Sequence, residues 1–591
     1  LYHFRIFEYP IFGYPIFEYP IFEYPKQQHS HRLPKTPTMP ALCVSILPYT
    51  NDELLALLSR CADADVIELR LDALALEAAS ILNWDDIRQR AAKPLLVTYR
   101  LPSEGGFFTG SVSERAALYQ SALNAGVEYF DVEAVAWPAI KPLLSVPMPS
   151  TFVLSHHIFE PQPDSADLFT GGLSTGRMKS ELDTLFAAET GAVNVIYKFI
   201  FTASTIGESG INAALTARYG LDYAAKRGKR LITHAMGEAG EPSRILTALD
   251  RENSQGNVWT YCALDASSST ASGQITLHEA RHLYRLHEKT SSTSVYALLG
   301  NPTRHSKGRF LHNALAARLS EQRLSEQDYI QCFSHKFLYL NLPTANADNF
   351  WLRWWETKLL SGFSVTIPHK EAMFQRCQIH NAVSPLAVRA AACNTVTTIN
   401  KALYSTNTDV LALMDCLRPH TAALQHGMLL IGTGATTQSA ITALQELGVT
   451  NIVITGRNVQ RGEQLASQYS CDFIEQNLFT ERHFVFGGII QTTPVGMYPT
   501  PDATPLPADT LRMLFTPTPV VMDVIYNPPK THFLSMAAVA GCITIAGGEM
   551  FLRQAAHQFT LFTGVTVEMP MLREIWHDLN EPSAPLFQAK Q

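Results

Sequence analysis

Short apolar runs rich in branched and aromatic residues alternate with helical stretches along most of the chain. Eight such runs come first: LCVSIL (42–47), DVIELRLD (65–72), LLVTYR (95–100), YFDVE (129–133), TFVLSHH (151–157), VNVIYKFIF (193–201), RLITHAM (230–236) and NVWTYCAL (257–264). Each has strand length and strand composition. Eight β/α alternations over ~230 residues predict a closed parallel barrel, the (βα)8 or TIM fold. A polar stretch, HEKTSSTS (287–294), reads as a linker. After it VYALLGNP opens a second βα series, which contains a glycine-rich turn at 432–434 and runs almost to the C-terminus. The fold class is therefore α/β, a barrel followed by a second, two-lobed α/β unit.

Within the runs, side chains two apart share a face. In IELRLD that puts Glu68, Arg70 and Asp72 on one face and Ile67, Leu69 and Leu71 on the other. Asp131 and Glu133 behave alike in FDVE. Arg100 ends its strand, with Glu104 just beyond, and His156 and His157 end VLSHH. Lys198 shares its face with Ile196 and Ile200, while Tyr197, Phe199 and Phe201 point toward the helices. Barrels of this kind place their chemistry at the C-terminal ends of the strands. Any one of these residues is read most simply as part of a structural ion pair. Together, carboxylates, arginines, a histidine and a lysine reaching successive strand ends are too many for a plain core. An amine held away from water beside guanidinium groups favours its neutral form, and a neutral amine attacks carbonyls. The set predicts an imine-forming site with His157 as the proton-transfer group.

Composition changes this picture little. The chain has 591 residues, 46% hydrophobic and 17% charged, with net charge −7. No dense Lys/Arg cluster asks for nucleic acid or an anionic membrane surface. No apolar run reaches the ~18 residues of a membrane span. Nine scattered cysteines without a CxxC pair suit free thiols in a reducing compartment, and cytoplasm is the expected location. No His/Cys ligand spacing is read along the chain, so no metal is expected. Residues 6–25 repeat IFEYP-like units with a proline every fifth position, which blocks both helix and strand. They have neither signal-peptide nor transit-peptide character. We read residues 1–38 as a repetitive extension, disordered or not native, translated from a tandem repeat ahead of a start at Met39. The alternative is an extended polyproline-type recognition tail.

Residues 41–290 resemble type I 3-dehydroquinate dehydratase. The resemblance is carried by IELRLD, YR followed by EGG, FDVE, SHHIF, YKF, MGEAGEPSR (236–244) and SGQI (272–275). It implies that Lys198 forms the Schiff base with the C3 carbonyl of 3-dehydroquinate. His157 would remove the C2 proton and protonate the departing hydroxyl, oriented by Glu104. Spacing to Phe159 favours His157 over His156. Glu68, Arg70, Arg100, Arg244, Thr270 and Gln274 would hold the substrate's hydroxyls and carboxylate. Thr270 stands where a serine is usual, and Gly273 where a proline is usual.

In the second unit, MLLIGTGATTQSAITALQELG (428–448) reads as strand, glycine turn and helix. Gly432 permits the turn, and Gly434 lets the backbone approach a pyrophosphate at the helix N-terminus. The third position of the motif is Thr437, so the motif alone is weak. The next strand, NIVITGRN (451–458), ends in Arg457, with Arg461 four residues on. Arginine there suits the 2′-phosphate of NADP rather than NAD. Lys370 follows Pro368 in GFSVTIPHKEAM (362–373), and Asn394 and Asp409 lie in ACNTV and STNTDV. A lysine next to an aspartate makes a proton relay.

These segments resemble shikimate dehydrogenase over residues 295 to about 580, together with GNPTRHSKG (300–308), TTPVGM (492–497), VIYNPPKTHFL (524–534) and GGEMFLRQAAHQFTLFTG (547–564). The resemblance implies hydride transfer from NADPH to C3 of 3-dehydroshikimate, with Lys370 the proton donor and Asp409 its partner. Ser306, Thr366, Asn394, Tyr526 and Gln554 would contact substrate. Gly432, Gly434, Ala435, Arg457, Asn458, Arg461 and Gly547 would bind NADP. Gly308 and Arg309 stand where a second serine and a proline are usual. One carboxylate-binding hydroxyl is therefore missing, and Arg309 is a candidate replacement charge partner. Gln491 and Ser364 each stand where asparagine is typical.

The expected domains are the extension (1–38), a dehydratase barrel (39–290), a substrate lobe (293–400), a Rossmann NADP lobe (401–547), and C-terminal helices returning to the substrate lobe (548–591). The barrel's product is the substrate of the second unit, which predicts a bifunctional enzyme of small-molecule substrates. Two alternatives stay open: a quinate/shikimate dehydrogenase preferring NAD, and a non-catalytic sensor of the same metabolites. The sensor should have lost Lys198, His157, Lys370 and Asp409, all of which are present.

Overall fold

The computed structural model describes residues 41–145, 150–159, 175–189, 194–203, 210–249, 257–290, 292–303, 306–321, 336–357, 359–476, 485–507 and 515–580. The repeat at 6–25 and the reading of it lie outside the described residues.

The eight runs form eight parallel strands: β1 (Ala41–Ile46), β2 (Val66–Arg70), β3 (Leu95–Thr98), β4 (Tyr129–Glu133), β5 (Thr151–Ile158), β6 (Asn194–Thr202), β7 (Leu231–Met236) and β8 (Trp259–Ala263). Their hydrogen-bonded order is β7-β6-β5-β4-β3-β2-β1-β8. The barrel closes less fully than expected, because β7 and β8 form no ladder among the described residues. A side chain bridges the seam instead. Asn257 Oδ1 accepts from Thr233 N at 2.8 Å, and its Nδ2 donates to Thr233 O at 3.1 Å, which satisfies the backbone groups a ladder would have used.

Strand alternation sorts the interior by height. Cys43, Val66, Leu96, Val153, Ile196, Ile232, Trp259 and Tyr261 form one buried apolar cluster, the barrel's plug. Outward-facing Tyr197, Phe199 and Phe201 pack in the large cluster beneath the helices. Two residues further along β1 to β7, the inward positions turn polar: Ser45, Glu68, Thr98, Asp131, Ser155, Lys198 and His234, all 5% exposed or less.

A five-stranded sheet follows, β9 (Ser294–Gly300), β10 (Phe337–Pro343), β11 (Gly362–Val365), β12 (Thr395–Ile399) and β13 (Ala402–Thr406), in the order β10-β9-β11-β12-β13. The pairs of β11 with β12 and β12 with β13 are antiparallel. The third sheet is wholly parallel: β14 (Met428–Ile431), β15 (Ile452–Gly456), β16 (Asp472–Glu475), β17 (Phe486–Gln491), β18 (Phe515–Asp523) and β19 (Ile543–Ile545). Its order, β16-β15-β14-β17-β18-β19, is the doubly wound dinucleotide-binding order, with the switch point between β14 and β17. The helix Gly547–Thr563 then packs Phe559 and Phe562 against Phe337 and Tyr296 of the second sheet.

The segment expected to be a linker is not a loose spacer. Lys289 is buried and donates to Phe337 O at 2.9 Å, and Thr293 is buried too. Lys289 and Thr293 look polar in the sequence but are bonded within the protein, a distinction composition cannot make. No described helix is long and apolar enough to cross a membrane.

Candidate active sites in the barrel and the cleft

The barrel cavity is lined by Glu68, Arg70, Arg100, Glu104, His157, Lys198, Arg244, Thr270 and Gln274, every residue expected of the first site. Lys198 lies on β6 above the apolar plug. Its Nζ donates to Asp131 Oδ2 at 3.0 Å, stands 3.9 Å from Glu68 Oε1, and sits 4.3 Å from the Tyr261 ring centre. Burial of the amine follows from strand alternation, whereas its pairing with Asp131 on β4 was not foreseen. Burial would raise the Asp131 carboxyl, but Arg100, Lys198 and a hydrogen bond from Ser155 outweigh it and hold it at about 2.

His157 Nδ1 lies 2.9 Å from Glu104 Oε2. Arg100 Nη1 also approaches Nδ1, at 3.3 Å, but the shorter contact is to a carboxylate that can only accept, which favours the ring proton on Nδ1 and Nε2 as the base. Burial, then Arg100, Lys198 and Arg70, push His157 well below the ordinary imidazole range. His156 points elsewhere, between Glu104 and Glu181, and hydrogen bonding to Glu104 raises it.

Arg100 is more structural than expected. It reaches Asp131 at 2.8 Å and Ser155 Oγ at 2.6 Å, and lies 3.8 Å from Glu133, which also pairs with buried Arg115. Arg70 is held in a two-point pair with Asp72, both contacts 2.9 Å. Arg244 differs from both. It is 1% exposed, donates to His234 Nε2 at 2.8 Å, and leaves its Nε without a partner. No described carboxylate lies within ion-pair distance, and burial lowers it to about 10. A buried guanidinium with no internal anion is a ready receptor for a carboxylate. Gln274 Oε1 accepts from Thr270 N, Ala271 N and the Ser269 and Thr270 hydroxyls, which fixes the amide. Gly273 has φ +76°, which the proline usual there could not adopt. His234, Tyr261 and Met236 line the cavity as well and were missed. The alternation that singled out Lys198 also points His234 inward.

The second cleft lies at the switch point. It is lined by Lys370, Gly432, Gly434, Ala435, Arg457 and Asn458, together with Glu371, Thr492 and Thr493. Gly432 has φ +129°, and a Cβ there would sit 2.4 Å from Thr492 Oγ1. At Gly434 a Cβ would meet nothing within 4 Å, so the space above the helix N-terminus is open to a ligand's phosphates. Thr437, in place of a third glycine, accepts from Gly434 N at 3.2 Å and shapes the turn. Arg457 is exposed and makes no ion pair with a described residue. Arg461 does not line the cleft. It pairs with Glu371 at 2.8 Å, across from its own lobe. Gly547 also lies off the cleft; a Cβ there would strike Val524 O and Ile525 O at 2.4 Å, so its role is close packing. The residues present fit a phosphorylated dinucleotide.

Lys370 opens the helix Lys370–Ile379, and its Nζ donates to Asp409 Oδ2 at 2.6 Å. Asn394 Nδ2 donates to Asp409 Oδ1 at 2.8 Å. Asn394 is itself held by Thr408 N and the Thr395 and Thr408 hydroxyls. Ser306 hydrogen-bonds the half-buried Tyr526, whose ring stacks on Phe551. Thr366 and Gln554 are half-buried. Gln558, one turn beyond Gln554, bonds Thr395 Oγ1 at 3.1 Å and supports the Asn394 strand. Gln491 spans Thr493 and Val495 through both ends of its amide, so the longer side chain still builds the turn.

Two expectations are corrected. Arg309 does not turn toward its own lobe's substrate site; it enters the barrel unit and pairs with Glu241 at 2.8 Å. The chain also does carry a two-histidine spacing, HEARH (278–282). Its Glu279 is committed to Thr276 and Arg309, and the described residues hold no group of three ligating side chains.

Comparison with known proteins agrees with this geometry. Residues 42–291 match the type I 3-dehydroquinase family, residues 298–396 the shikimate dehydrogenase substrate-binding domain, and residues 419–485 the shikimate/quinate 5-dehydrogenase family. A chloroplastic bifunctional 3-dehydroquinate dehydratase/shikimate dehydrogenase of Arabidopsis thaliana is 29% identical over 559 residues, 91% of this chain and 84% of that protein. An NADP(+) shikimate dehydrogenase of Nostoc sp. is 33% identical over 276 residues, 45% of this chain and 89% of that protein. Among solved structures, the dehydroquinate dehydratase and shikimate dehydrogenase of S. pombe AroM is 20% identical and covers 91% of this chain and 98% of its own, with a TM-score of 0.37. The chain belongs to the bifunctional 3-dehydroquinate dehydratase/shikimate dehydrogenases, a type I dehydroquinase joined to an NADP-dependent shikimate dehydrogenase.

Proposed function

We propose that the barrel converts 3-dehydroquinate to 3-dehydroshikimate and that the cleft reduces this product to shikimate with NADPH. In the barrel, Lys198 Nζ adds to the C3 carbonyl carbon and water leaves, forming the imine. Asp131, beside the nitrogen, balances the iminium charge. His157 Nε2 takes a proton from C2 and returns it to the C1 hydroxyl, which departs as water. Hydrolysis of the imine frees the amine. Glu104 holds the tautomer, and Arg244 receives the substrate carboxylate, with Glu68, Arg70, Arg100, Thr270 and Gln274 around the hydroxyls. The observation that carries this reading is a buried lysine, a histidine held at Nδ1 by Glu104 and an arginine with no described carboxylate within ion-pair distance, all in one cavity.

In the second site Lys370 donates the proton to the oxygen that becomes the C3 hydroxyl, and Asp409 holds its amine. Ser306, Thr366, Asn394, Tyr526 and Gln554 contact the substrate. Gly432, Gly434, Ala435, Arg457 and Asn458 line the cleft and hold NADPH, which supplies the hydride when bound; Arg461, paired with Glu371, and Gly547, packed on Val524 and Ile525, do not line it. We assign the five domain boundaries as stated above. The eight described cysteines are unbonded, which supports a reducing compartment, the cytoplasm.

The test gives the purified chain 3-dehydroquinate alone, then NADPH. Dehydroshikimate first and shikimate after NADPH is the expected result. Borohydride added with 3-dehydroquinate should fix a substrate-sized mass on the peptide containing Lys198. No adduct and no dehydroshikimate would overturn the barrel assignment.

A further inference from the structure

Arg309 sits near the start of the helix Gly308–Glu321 in the dehydrogenase half, where it lies over the Phe310 ring at 4.8 Å, yet among the described residues its guanidinium hydrogen bonds go to the barrel half. Nη1 donates to Glu241 Oε1 at 2.8 Å and to the Tyr284 hydroxyl at 3.0 Å. Nη2 lies 3.5 Å from Glu279 Oε1. These two carboxylates belong to two different loops. Glu241 opens the short helix Glu241–Leu246 that carries Arg244. The second oxygen of Glu279 accepts from Thr276 N at 2.9 Å and from Thr276 Oγ1 at 3.2 Å, two residues beyond Gln274. The loops also touch one another: Gly237 N donates to Ser272 Oγ at 3.1 Å, and Arg244 Nη2 to Ser272 O at 3.4 Å. Arg309 is 7% exposed and Glu279 2%.

We propose that Arg309 is a positioning residue for the dehydratase, supplied by the dehydrogenase half: one guanidinium ties together the loops that carry Arg244 and Gln274 and so sets the affinity for 3-dehydroquinate. A buried ion pair is a poor device for stability alone, since desolvation offsets most of its attraction. Its strength is geometric, because a planar fork fixes two carboxylates relative to each other. The dehydratase site is thereby completed from the neighbouring half, and the residue that replaces the usual proline has a function outside its own lobe. The inference rests on the assignment of Arg244 and Gln274 to substrate binding.

The test uses the full chain and steady-state kinetics of each half separately. Arg309→Met should raise KM for 3-dehydroquinate about tenfold, the scale of a small misplacement of binding groups, with dehydratase kcat within about twofold. Reduction of 3-dehydroshikimate should keep its kcat and KM within the same margin. Arg309→Lys should restore part of the affinity, since an ammonium reaches one carboxylate and not two. Glu241→Gln should raise the same KM and add little to Arg309→Met, because Arg309→Met already removes the Glu241 contact. An unchanged KM in Arg309→Met overturns the proposal, as does a parallel loss of both activities with a lowered melting temperature, which would make Arg309 a folding residue. Arg244→Met separates the two layers. If it leaves KM unchanged, the site assignment fails and takes the proposal with it; if it raises KM while Arg309→Met does not, the proposal alone fails.

Discussion

The two sites solve the same problem, holding a lysine beside a carboxylate, in different ways. In the barrel, Lys198 and Asp131 stand on neighbouring-but-one strands of a single sheet, both 5% exposed or less, in a cavity walled by further ion pairs. In the cleft, Lys370 and Asp409 each belong to the first turn of a helix, and the cofactor space lies between two sheets. The barrel pair is positioned by strand register and by the Arg100 and Ser155 contacts to Asp131, so its geometry precedes any ligand. The cleft pair joins two helices, Lys370 on one and Asp409 on the other, while the glycine turn and Arg457 that meet the cofactor lie on the third sheet. Covalent chemistry suits the first arrangement. Hydride transfer, which brings two molecules together, suits the second.

The comparison breaks most sharply at the lysines. Lys198→Met should lower dehydration by roughly 10⁴-fold or more, since a nucleophile is removed outright. Reduction of 3-dehydroshikimate should be untouched, as the lesion lies in a different unit. Comparable dehydration in the variant would end the imine reading. Lys370→Ala should lower reduction by roughly 10² to 10⁴-fold, the scale of a lost acid–base group, and spare dehydration. Loss of both activities in either variant would show that the halves do not operate as separate sites.

A pH profile sharpens the comparison next. Burial and the cations Arg100, Lys198 and Arg70 lower the pKa of His157. A lowered pKa keeps the ring neutral to more acidic pH, so the acid limb of dehydratase kcat/KM should fall below the ordinary imidazole value of about 6.5. An acid limb at or above that value would remove His157 as the free base. Arg70→Met, by deleting one of the cations, should move the limb upward.

How much of this was legible in the sequence differs between the sites for a physical reason. Strand alternation has a period of two and no ambiguity of face, so the inward set of Glu68, Asp131 and Lys198 could be read from spacing. What spacing could not give was pairing across strands, hence the surprise of Asp131 beside Lys198 and of Arg100 committed to the network around Asp131. Nor could it show the open seam at β7 and β8, where one asparagine side chain replaces a ladder. In the second half, motifs found the turn and the lysine, but long side chains escaped. Arg309 and Arg461 both reach about a lobe's edge to a partner that no local pattern names. The segment 287–294 failed differently: Lys289 and Thr293 within it are buried and bonded, and composition reports only that they are polar.

The smallest effect tests whether the cleft is held by its own charges before cofactor arrives. Glu371, next to Lys370, takes Arg461 at 2.8 Å and Gln438 at 2.6 Å, both on the opposite lobe. If Arg461 also grips the 2′-phosphate of NADPH, the carboxylate and the phosphate compete for one guanidinium. The pair is partly exposed, 28% and 47%, so it is worth only ~0.5–1 kcal/mol. Glu371→Gln should therefore lower KM for NADPH about two- to fivefold, with KM for NADH unchanged because that cofactor lacks the phosphate. A fall in both values would mean that Glu371 governs lobe opening rather than phosphate binding. An unchanged KM for NADPH would leave the phosphate to Arg457 alone, the arginine that is exposed in the cleft with no described carboxylate to release.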